Sequence, residues 1–243
     1  MIFPMIKNNI STYIDKTLEV IYEDNHLIAV NKRPSDLSQP DQTGDPALED
    51  HIKAYLKEKY NKPGNVFCVP CHRIDRPVSG VLVFGRTSKA LARMFELFKS
   101  RNVQKTYWAV VQEKPAAPSG LLIHHIKKNK DKNKSFVVNP EDAESKRAEL
   151  NYRLIGSSDN YHLIEVLPKT GRHHQIRVQL SHIGCPIKGD IKYGAKRTNS
   201  DASIHLHARK IEFVHPVQKE KIEIVAQPPK DPVWSYFIKT ING

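Results

Sequence analysis

Short β-type segments dominate the middle of this sequence, and helices do not follow them in the regular alternation that a parallel sheet requires. The strand candidates are a hairpin within 18–32 and the runs 66–69, 81–84, 105–111, 121–126, 135–138, 148–155, 161–167, 204–213 and 221–225. Helical spacing of apolar residues occurs at 47–60, 87–100, 172–183 and 232–241. We therefore predict an α+β fold, with a mostly antiparallel mixed β-sheet core and flanking helices.

The chain has 243 residues, which is enough to bury one sizeable core. No internal repeat and no linker-like composition divides it. We predict an N-terminal extension at 1–17 and a single folded domain at 18–243.

The charge balance favours a polyanionic partner. Lysine and arginine number 38 against 26 aspartates and glutamates, a net charge of +12, which suits nucleic acid but also membranes and acidic partners. No apolar run approaches the roughly 18 residues of a membrane span, so an integral membrane protein is excluded. The polar stretch Lys7 to Asn9 stands where a signal peptide is apolar, and three cysteines do not make a disulfide framework. We predict a cytoplasmic protein.

One segment, KKNKDKNK at Lys127 to Lys134, is strongly basic. It is either a solvated surface loop kept extended by self-repulsion or an arm that attracts phosphates. Lysine suits such steering better than it suits base recognition.

Cys68-Val-Pro-Cys71-His72 matches the spacing of c-type haem attachment and of a CxxC metal or redox pair. Haem attachment requires export, and a structural zinc site requires two more ligands, which no second CxxC provides. We therefore predict no metal and no haem.

The stretch CHRIDRPVSGVLVF surrounds a single carboxylate, Asp75, with His72, Arg73 and Arg76. The neighbouring guanidinium groups favour its charged form, which suits a nucleophile or an electrostatic stabiliser and not a general acid. The alternative is an ordinary ion-paired aspartate that caps a turn before Pro77.

A second concentration of charge is TGRHHQIRVQLS. If this segment is helical, Arg177 lies on the side away from the apolar Ile176 and Leu180, and Arg172 near the helix start is a phosphate-contact candidate. The alternative is a basic, solvated helix face. In IHLHA, His205 and His207 alternate with apolar residues like a half-buried strand, which favours structural histidines.

Four motifs, HRIDRPVSG, Lys105-Thr-Tyr107, GRHHQIR and IHLHA, occur in the order and with the spacing found in the RluA family of RNA pseudouridine synthases. The resemblance covers about Leu18 to Pro216. It implies the α+β catalytic domain of that family and an RNA substrate, either ribosomal or transfer RNA.

By this resemblance, Asp75 is the catalytic aspartate that attacks a uridine, and Arg177 pairs with it. Tyr107 lies against the target base and takes part in removing the C5 proton, and Leu206 forms part of the base pocket. Arg73 is our candidate for filling the space that the target base vacates, and Lys105 and Arg172 are further RNA-binding candidates.

The chain departs from the family pattern at Ile74 and Val78, where Leu and Thr are common, and Lys32 to Asp36 matches a family loop only loosely. Many relatives carry an RNA-binding S4 domain, but seventeen residues before Leu18 are too few for one. We therefore predict that the S4 domain is absent.

These observations predict an RNA pseudouridine synthase that needs no cofactor or metal and acts as a monomer. The rival from another class is a non-catalytic RNA-binding or ribosome-assembly protein on the same fold. A glycosidic-bond hydrolase is a third candidate, although the usual carboxylate pair is not evident.

Overall fold

A computed structural model describes residues 18–40 and 44–242. The predicted N-terminal extension, 1–17, lies outside the described residues. The strands are β1 (Val20–Glu23), β2 (Leu27–Lys32), β3 (Val69–Pro70), β4 (Ser79–Gly85), β5 (Gln104–Val111), β6 (Ser119–Asn129), β7 (Lys134–Val138), β8 (Lys146–Ser157), β9 (His162–Pro168), β10 (Leu206–Val214) and β11 (Lys221–Val225). The helices are α1 (Leu48–Lys59), α2 (Ser88–Lys99), α3 (Gln175–His182) and α4 (Pro232–Asn242), with a short 3-10 helix at Ile191–Tyr193.

All described strands join one sheet in the order β1-β2-β4-β10-β5-β9-β8-β6-β7, with β11 paired to β10 and β3 to β4. Among these strands, the one parallel pair is β4 with β10; the other pairs are antiparallel. The predicted α+β class and mostly antiparallel sheet are therefore confirmed.

The parallel pair depends on Gly80, whose φ of 115° lies in the region that favours glycine. A Cβ there would lie 2.3 Å from the carbonyl oxygen of Ala208 on β10. Ser79 Oγ and His207 Nδ1 also share a hydrogen bond of 2.8 Å, and His207 Nε2 lies 3.0 Å from the Ala226 carbonyl oxygen. His207 is thus a buried, hydrogen-bonded structural histidine, as predicted.

Helices cover both sides of the sheet. Helix α3 packs its Ile176 and Leu180 against the central strands, and α4 places Trp234 and Phe237 on a separate cluster with Trp108. Helix α2 begins after Thr87, whose hydroxyl accepts a hydrogen bond from the Ala90 N–H at 3.1 Å, as its sequence predicts. No helix within 18–40 and 44–242 is long and apolar enough to cross a membrane.

Several local predictions differ from the structure, and each difference has a physical reason. Of the predicted strand 66–69, only Val69 belongs to a strand, β3. Val66 and Cys68 are apolar because they are buried in a hydrophobic cluster. The solvated-loop interpretation of 127–134 is right for the exposed turn at 130–133, but Lys127 to Asn129 end β6 and Lys134 begins β7, so the segment is the tip of a hairpin. Buried Ser135 anchors that hairpin, since its N–H donates to Tyr193 Oη at 2.8 Å.

The helix predicted at 172–183 begins only at Gln175. Before it, the Gln175 side-chain oxygen accepts hydrogen bonds from the Arg172 N–H at 2.9 Å and the Thr170 hydroxyl at 2.7 Å. His174 then has a φ of 53°, which is not helical. Arg172 therefore precedes the helix, and the basic, solvated helix face is wrong because Gln175 through Leu180 are all buried.

Candidate active site

The loop that joins β3 to β4 carries Asp75, which lines a large cavity. Residues outside this loop donate hydrogen bonds to its carbonyl oxygens. Ile74 O accepts from the Ser38 hydroxyl at 3.1 Å, and Pro77 O accepts from the Ile204 N–H at 3.1 Å. Within the loop, the Val78 N–H donates to Asp75 O at 3.0 Å. The backbone that presents Asp75 is therefore held in one conformation.

Lys32, at the end of β2, also holds this loop. Its ammonium donates hydrogen bonds to the carbonyl oxygens of Arg33 at 2.8 Å and Arg76 at 3.0 Å. The side chain is 1% exposed, and this burial lowers its pKa from 10.5 to about 7. The loosely matched segment at 32–36 thus supports the loop of Asp75.

Arg177, on α3, reaches Asp75 from the other side. Its Nη1 lies 3.0 Å from Asp75 Oδ2, while Nε and Nη2 donate to the two oxygens of Asp190 at 2.6 and 2.8 Å. The side chain is 6% exposed, and the Tyr193 ring lies 5.1 Å from its guanidinium carbon. Hydrogen bonds and charges of Asp190 and Asp75 raise the pKa of Arg177 despite burial, so the guanidinium stays charged.

Tyr107, on β5, and Leu206, on β10, line the same cavity. Tyr107 is half-buried, and burial followed by the charge of Asp75 raises its pKa, so the phenol is protonated at neutral pH. Leu206 is buried beside it, because its strand pairs with the strand of Tyr107. The structure therefore brings Asp75, Tyr107, Arg177 and Leu206 together around one space.

His174 is a neighbour that sequence reasoning did not assign to this site. Its Nε2 lies 3.5 Å from Asp75 Oδ2, and its Nδ1 shares a hydrogen bond of 2.9 Å with Tyr193 Oη. Burial and then the charge of Arg177 lower the pKa of His174 far below its ordinary value. The imidazole is therefore neutral and adds no charge beside the carboxylate.

The cavity measures about 1430 Å³ and has a basic lining. Two of its lining residues are acidic, Asp75 and Glu212, whereas ten are cationic. The cations are Arg73, Arg76, Lys99, Arg101, Lys105, Lys128, Lys169, Arg172, Arg177 and Lys192. Such a lining favours a polyanionic ligand.

The four predicted RNA contacts differ in their surroundings. Arg73 is exposed, whereas Lys105 is half-buried and burial lowers its pKa. Arg172 is half-buried and its Nε donates to the Arg147 carbonyl oxygen at 3.0 Å. Leu206 lies deeper, beside Tyr107.

A sequence profile of the RNA pseudouridylate synthase family matches residues 26–182. The chain belongs to this family. The resemblance to the RluA group, which four motifs indicated, is therefore confirmed, and with it the prediction that the chain is an RNA isomerase.

Individual family members support this assignment. The ribosomal large subunit pseudouridine synthase C of Vibrio cholerae is 33% identical, over 89% of this chain and 69% of its own length. The tRNA pseudouridine synthase C of Haemophilus influenzae is also 33% identical, over 86% of this chain and 92% of its own length. Both sequence similarities therefore cover much more of the chain than the four motifs.

The fold is shared with solved structures of the family. The human RNA pseudouridylate synthase domain containing 4 superposes with a TM-score of 0.75 at 24% identity, covering 92% of this chain and 93% of that one. The human domain containing 1 gives a TM-score of 0.70 at 22% identity, over 90% of this chain.

The CxxCH sequence of this pseudouridylate synthase is part of the core. Cys68 and Cys71 are free and buried, and burial raises the pKa of each thiol to about 12. Burial also lowers the pKa of His72 to about 3, and its Nε2 accepts a hydrogen bond from the Val83 N–H at 3.2 Å. Within the described ranges, no three His, Cys, Asp or Glu side chains are grouped to hold a metal ion.

Four residues of this site, Lys32, His174, Asp190 and Tyr193, were missed as functional candidates from the sequence. Lys32 lies in the loosely matched segment 32–36 and His174 in the GRHHQIR motif. Only the tertiary structure shows that both lie close to Asp75. For Asp190 a local signal existed, since it is a lone carboxylate between glycine-containing turns at 189–194.

Proposed function

We propose that this protein isomerises specific uridines of a structured RNA, ribosomal or transfer, to pseudouridine, with Asp75 as the catalytic nucleophile. The observation that carries the proposal is the Asp75 carboxylate, held 3.0 Å from buried Arg177 in a cavity lined by cations. An ion-paired carboxylate is charged at neutral pH and is therefore ready to act as a nucleophile.

In this proposal Asp75 attacks the uridine, the bond between C1′ and N1 breaks, and the base rejoins C1′ through C5. The bond between Asp75 and the uridine then breaks, which restores the free carboxylate. The C5 proton leaves and N1 gains a proton, so substrate and product are isomers. The reaction has no net oxidation and releases no fragment. We therefore propose that it uses no cofactor and no metal.

Tyr107 packs against the target base in this scheme. Because its raised pKa keeps the phenol protonated, Tyr107 can accept the C5 proton only as it gives up its own, and N1, which gains a proton in the reaction, takes up the proton that is released. Leu206 supplies an apolar wall, and neutral His174 leaves Arg177 as the principal cation beside Asp75.

The target uridine must leave its stack to reach Asp75, at a cost of a few kcal/mol. We assign exposed Arg73, two residues before Asp75, to the vacated space. Lys105 and Arg172 contact the RNA near the cavity, where their charges offset the cost of flipping.

The β6–β7 hairpin extends this basic surface. Its hairpin lysines, defined as Lys128, Lys130 and Lys132, are exposed, and Lys128 lines the cavity. Lys127 differs, since it pairs with Asp142 at 3.2 Å and Glu144 at 2.9 Å. We propose that the hairpin lysines attract RNA phosphates, which is the phosphate-steering function considered for this segment.

The names of the relatives support the choice of substrate class. One is a ribosomal large subunit synthase and another a transfer RNA synthase, so the proposal includes both RNAs. The cytoplasmic location and the monomeric state predicted from the sequence are part of the proposal; the three free cysteines support the location.

A map of pseudouridine across cellular RNA tests this function. We compare cells with the gene intact, deleted, and replaced by Asp75→Asn or by Asp159→Asn, an exposed aspartate in the turn before β9. We expect sites that disappear on deletion, return with Asp159→Asn and do not return with Asp75→Asn.

Other outcomes contradict parts of the proposal. Sites restored by Asp75→Asn would remove the nucleophile assignment. No change on deletion, together with crosslinking of the protein to RNA, would favour the non-catalytic RNA-binding protein. Free uracil or abasic RNA would favour the hydrolase.

A further inference from the structure

We propose that the C-terminal end of α2 binds a nucleotide that flanks the target uridine, with its unstacked base on Phe98 and its phosphate on Arg101 and Lys99. This inference rests on the proposed function, because it extends the RNA site around Asp75. Phe98, Lys99 and Arg101, together called the α2 wall, all line the cavity that Asp75 lines.

The chain leads from the α2 wall to the place of the target base. Val103, Gln104 and Lys105 follow Arg101 and also line the cavity, as does Tyr107. Lys105 and Tyr107 are two residues apart on β5, so they face the same side of the sheet, about 7 Å apart along the strand. The α2 wall thus lies along a continuous surface with the proposed position of the target base, where flanking nucleotides of the RNA pass.

Phe98 supplies an aromatic surface for a base. Its ring packs on that of His72, with the centroids 5.1 Å apart, and the His72 ring is fixed by the Val83 N–H. Phe95, one helical turn earlier, is 46% exposed, so the aromatic strip of α2 is wider than the core requires. Proteins that bind unpaired RNA use such rings as platforms for unstacked bases.

Lys99 and Arg101 add positive charge that the folded chain does not use. Both side chains are exposed, and within the described part of the chain neither has a hydrogen bond or an ion pair. The acidic residue nearby is Glu212, which lies opposite Gln104 in the sheet and pairs with Lys210 at 2.9 Å. The two cations are therefore available to a phosphate.

The backbone at Arg101 favours glycine. Helix α2 ends with the Arg101 N–H donating to Phe98 O at 3.3 Å and the Asn102 N–H donating to Leu97 O at 2.9 Å. Arg101 itself has a φ of 61°. This C-terminal motif most often has glycine at that position. An arginine there stabilises the helix end less than glycine would, which fits a binding function for its side chain.

Arg101→Gly tests the phosphate contact without weakening the fold. Glycine adopts a positive φ without strain, so we expect the variant to be at least as stable as the wild type in urea. The probe is an RNA that contains a uridine modified by the wild-type enzyme. We expect the salt slope of RNA binding to fall by about 0.7, the value for one phosphate of a single strand.

Lys219→Gly is the matched control. It also removes one positive charge at a positive φ, of 67°, but exposed Lys219 does not line the cavity. We expect its salt slope to equal that of the wild type.

Abasic substitution in the same RNA tests the stacking on Phe98. The base is removed from each flanking nucleotide in turn, and filter binding gives the Kd for the wild type and for Phe98→Leu, which stays apolar but has no ring. We expect one position at which removal of the base weakens wild-type binding about tenfold. At that position Phe98→Leu should lose nothing further, because the contact is already absent.

Two results overturn the inference. One is an equal salt slope for Arg101→Gly and Lys219→Gly, and the other is the same abasic loss in the wild type and Phe98→Leu at every position. If Phe98→Leu does not fold, the comparison of Arg101→Gly with Lys219→Gly decides alone. Absence of pseudouridine from every RNA treated with the wild type would instead overturn the proposed function and, with it, this inference.

Discussion

Replacing Lys32 with methionine tests the support of the Asp75 loop. The ammonium of Lys32 is 1% exposed and donates to the carbonyl oxygens of Arg33 and Arg76. Methionine fills a similar volume but carries no charge and no donor. The variant therefore removes a buried titratable group and its hydrogen bond to the carbonyl oxygen of Arg76, the residue next to Asp75.

The pKa of Lys32 sets how this change depends on pH. Burial lowers that pKa from 10.5 to about 7, so between these values the unfolded chain holds a proton that the folded protein lacks. The free energy of unfolding of the wild type consequently rises with pH across this window, by up to about 1.4 kcal/mol per pH unit. Between about pH 7.5 and 9.5, the wild type gains about 2–3 kcal/mol that Lys32→Met does not gain.

Urea unfolding of both proteins at several pH values measures this difference. Lys89→Met, at an exposed lysine of α2, controls for the loss of one positive charge. We also expect slower single-turnover isomerisation by Lys32→Met, because the loop of Asp75 loses a donor. Parallel stability curves for the wild type and Lys32→Met would refute the reasoning.

Two further predictions concern the fold and the RNA surface. Gly80→Ala should lower the free energy of unfolding by about 3 kcal/mol or more, because its Cβ would lie 2.3 Å from Ala208 O at a φ of 115°. Gly64→Ala, where a Cβ meets nothing within 4 Å, should leave the free energy of unfolding nearly unchanged. Equal urea midpoints for Gly80→Ala and Gly64→Ala would contradict this account. Changing the hairpin lysines together to alanine should weaken RNA binding and lower its salt slope by about 1 for each lost phosphate contact. An unchanged slope in filter binding would remove the hairpin from the RNA surface.

Much of the sheet is predictable because each strand carries its own pattern. The runs 121–126 and 148–155 fall within β6 and β8, and an antiparallel sheet follows from the missing βαβ alternation. Which strands are neighbours in the sheet is harder to predict from the sequence. The parallel contact of β4 and β10 depends on Gly80 meeting Ala208, which no local pattern reveals.

The candidate site was likewise predictable only in part. Motif resemblance indicated Asp75, Tyr107, Arg177 and Leu206, and the structure brings them together around one cavity. The local pattern of α3 nevertheless placed Arg177 on a polar side, because a sequence pattern does not show that a carboxylate elsewhere in the chain compensates a buried charge.

That carboxylate is Asp190, and Lys32 illustrates a similar difficulty. Lys32 donates to main-chain carbonyl groups, which every residue carries, so no side chain in the sequence identifies its partners. The strand ends at 127–129 and 134 were missed for a related reason, since the hairpin is anchored by the contact of Ser135 with Tyr193 and not by its own lysines.

The most direct measurement of the central claim uses purified wild-type, Asp75→Asn and Asp159→Asn protein on one RNA that contains the target uridine. Nucleoside analysis follows the uridine, and filter binding follows the complex. The account predicts pseudouridine with the wild type and Asp159→Asn, and none with Asp75→Asn, at an RNA Kd within threefold of wild type for all three. Pseudouridine formed by Asp75→Asn at the wild-type rate would contradict the account.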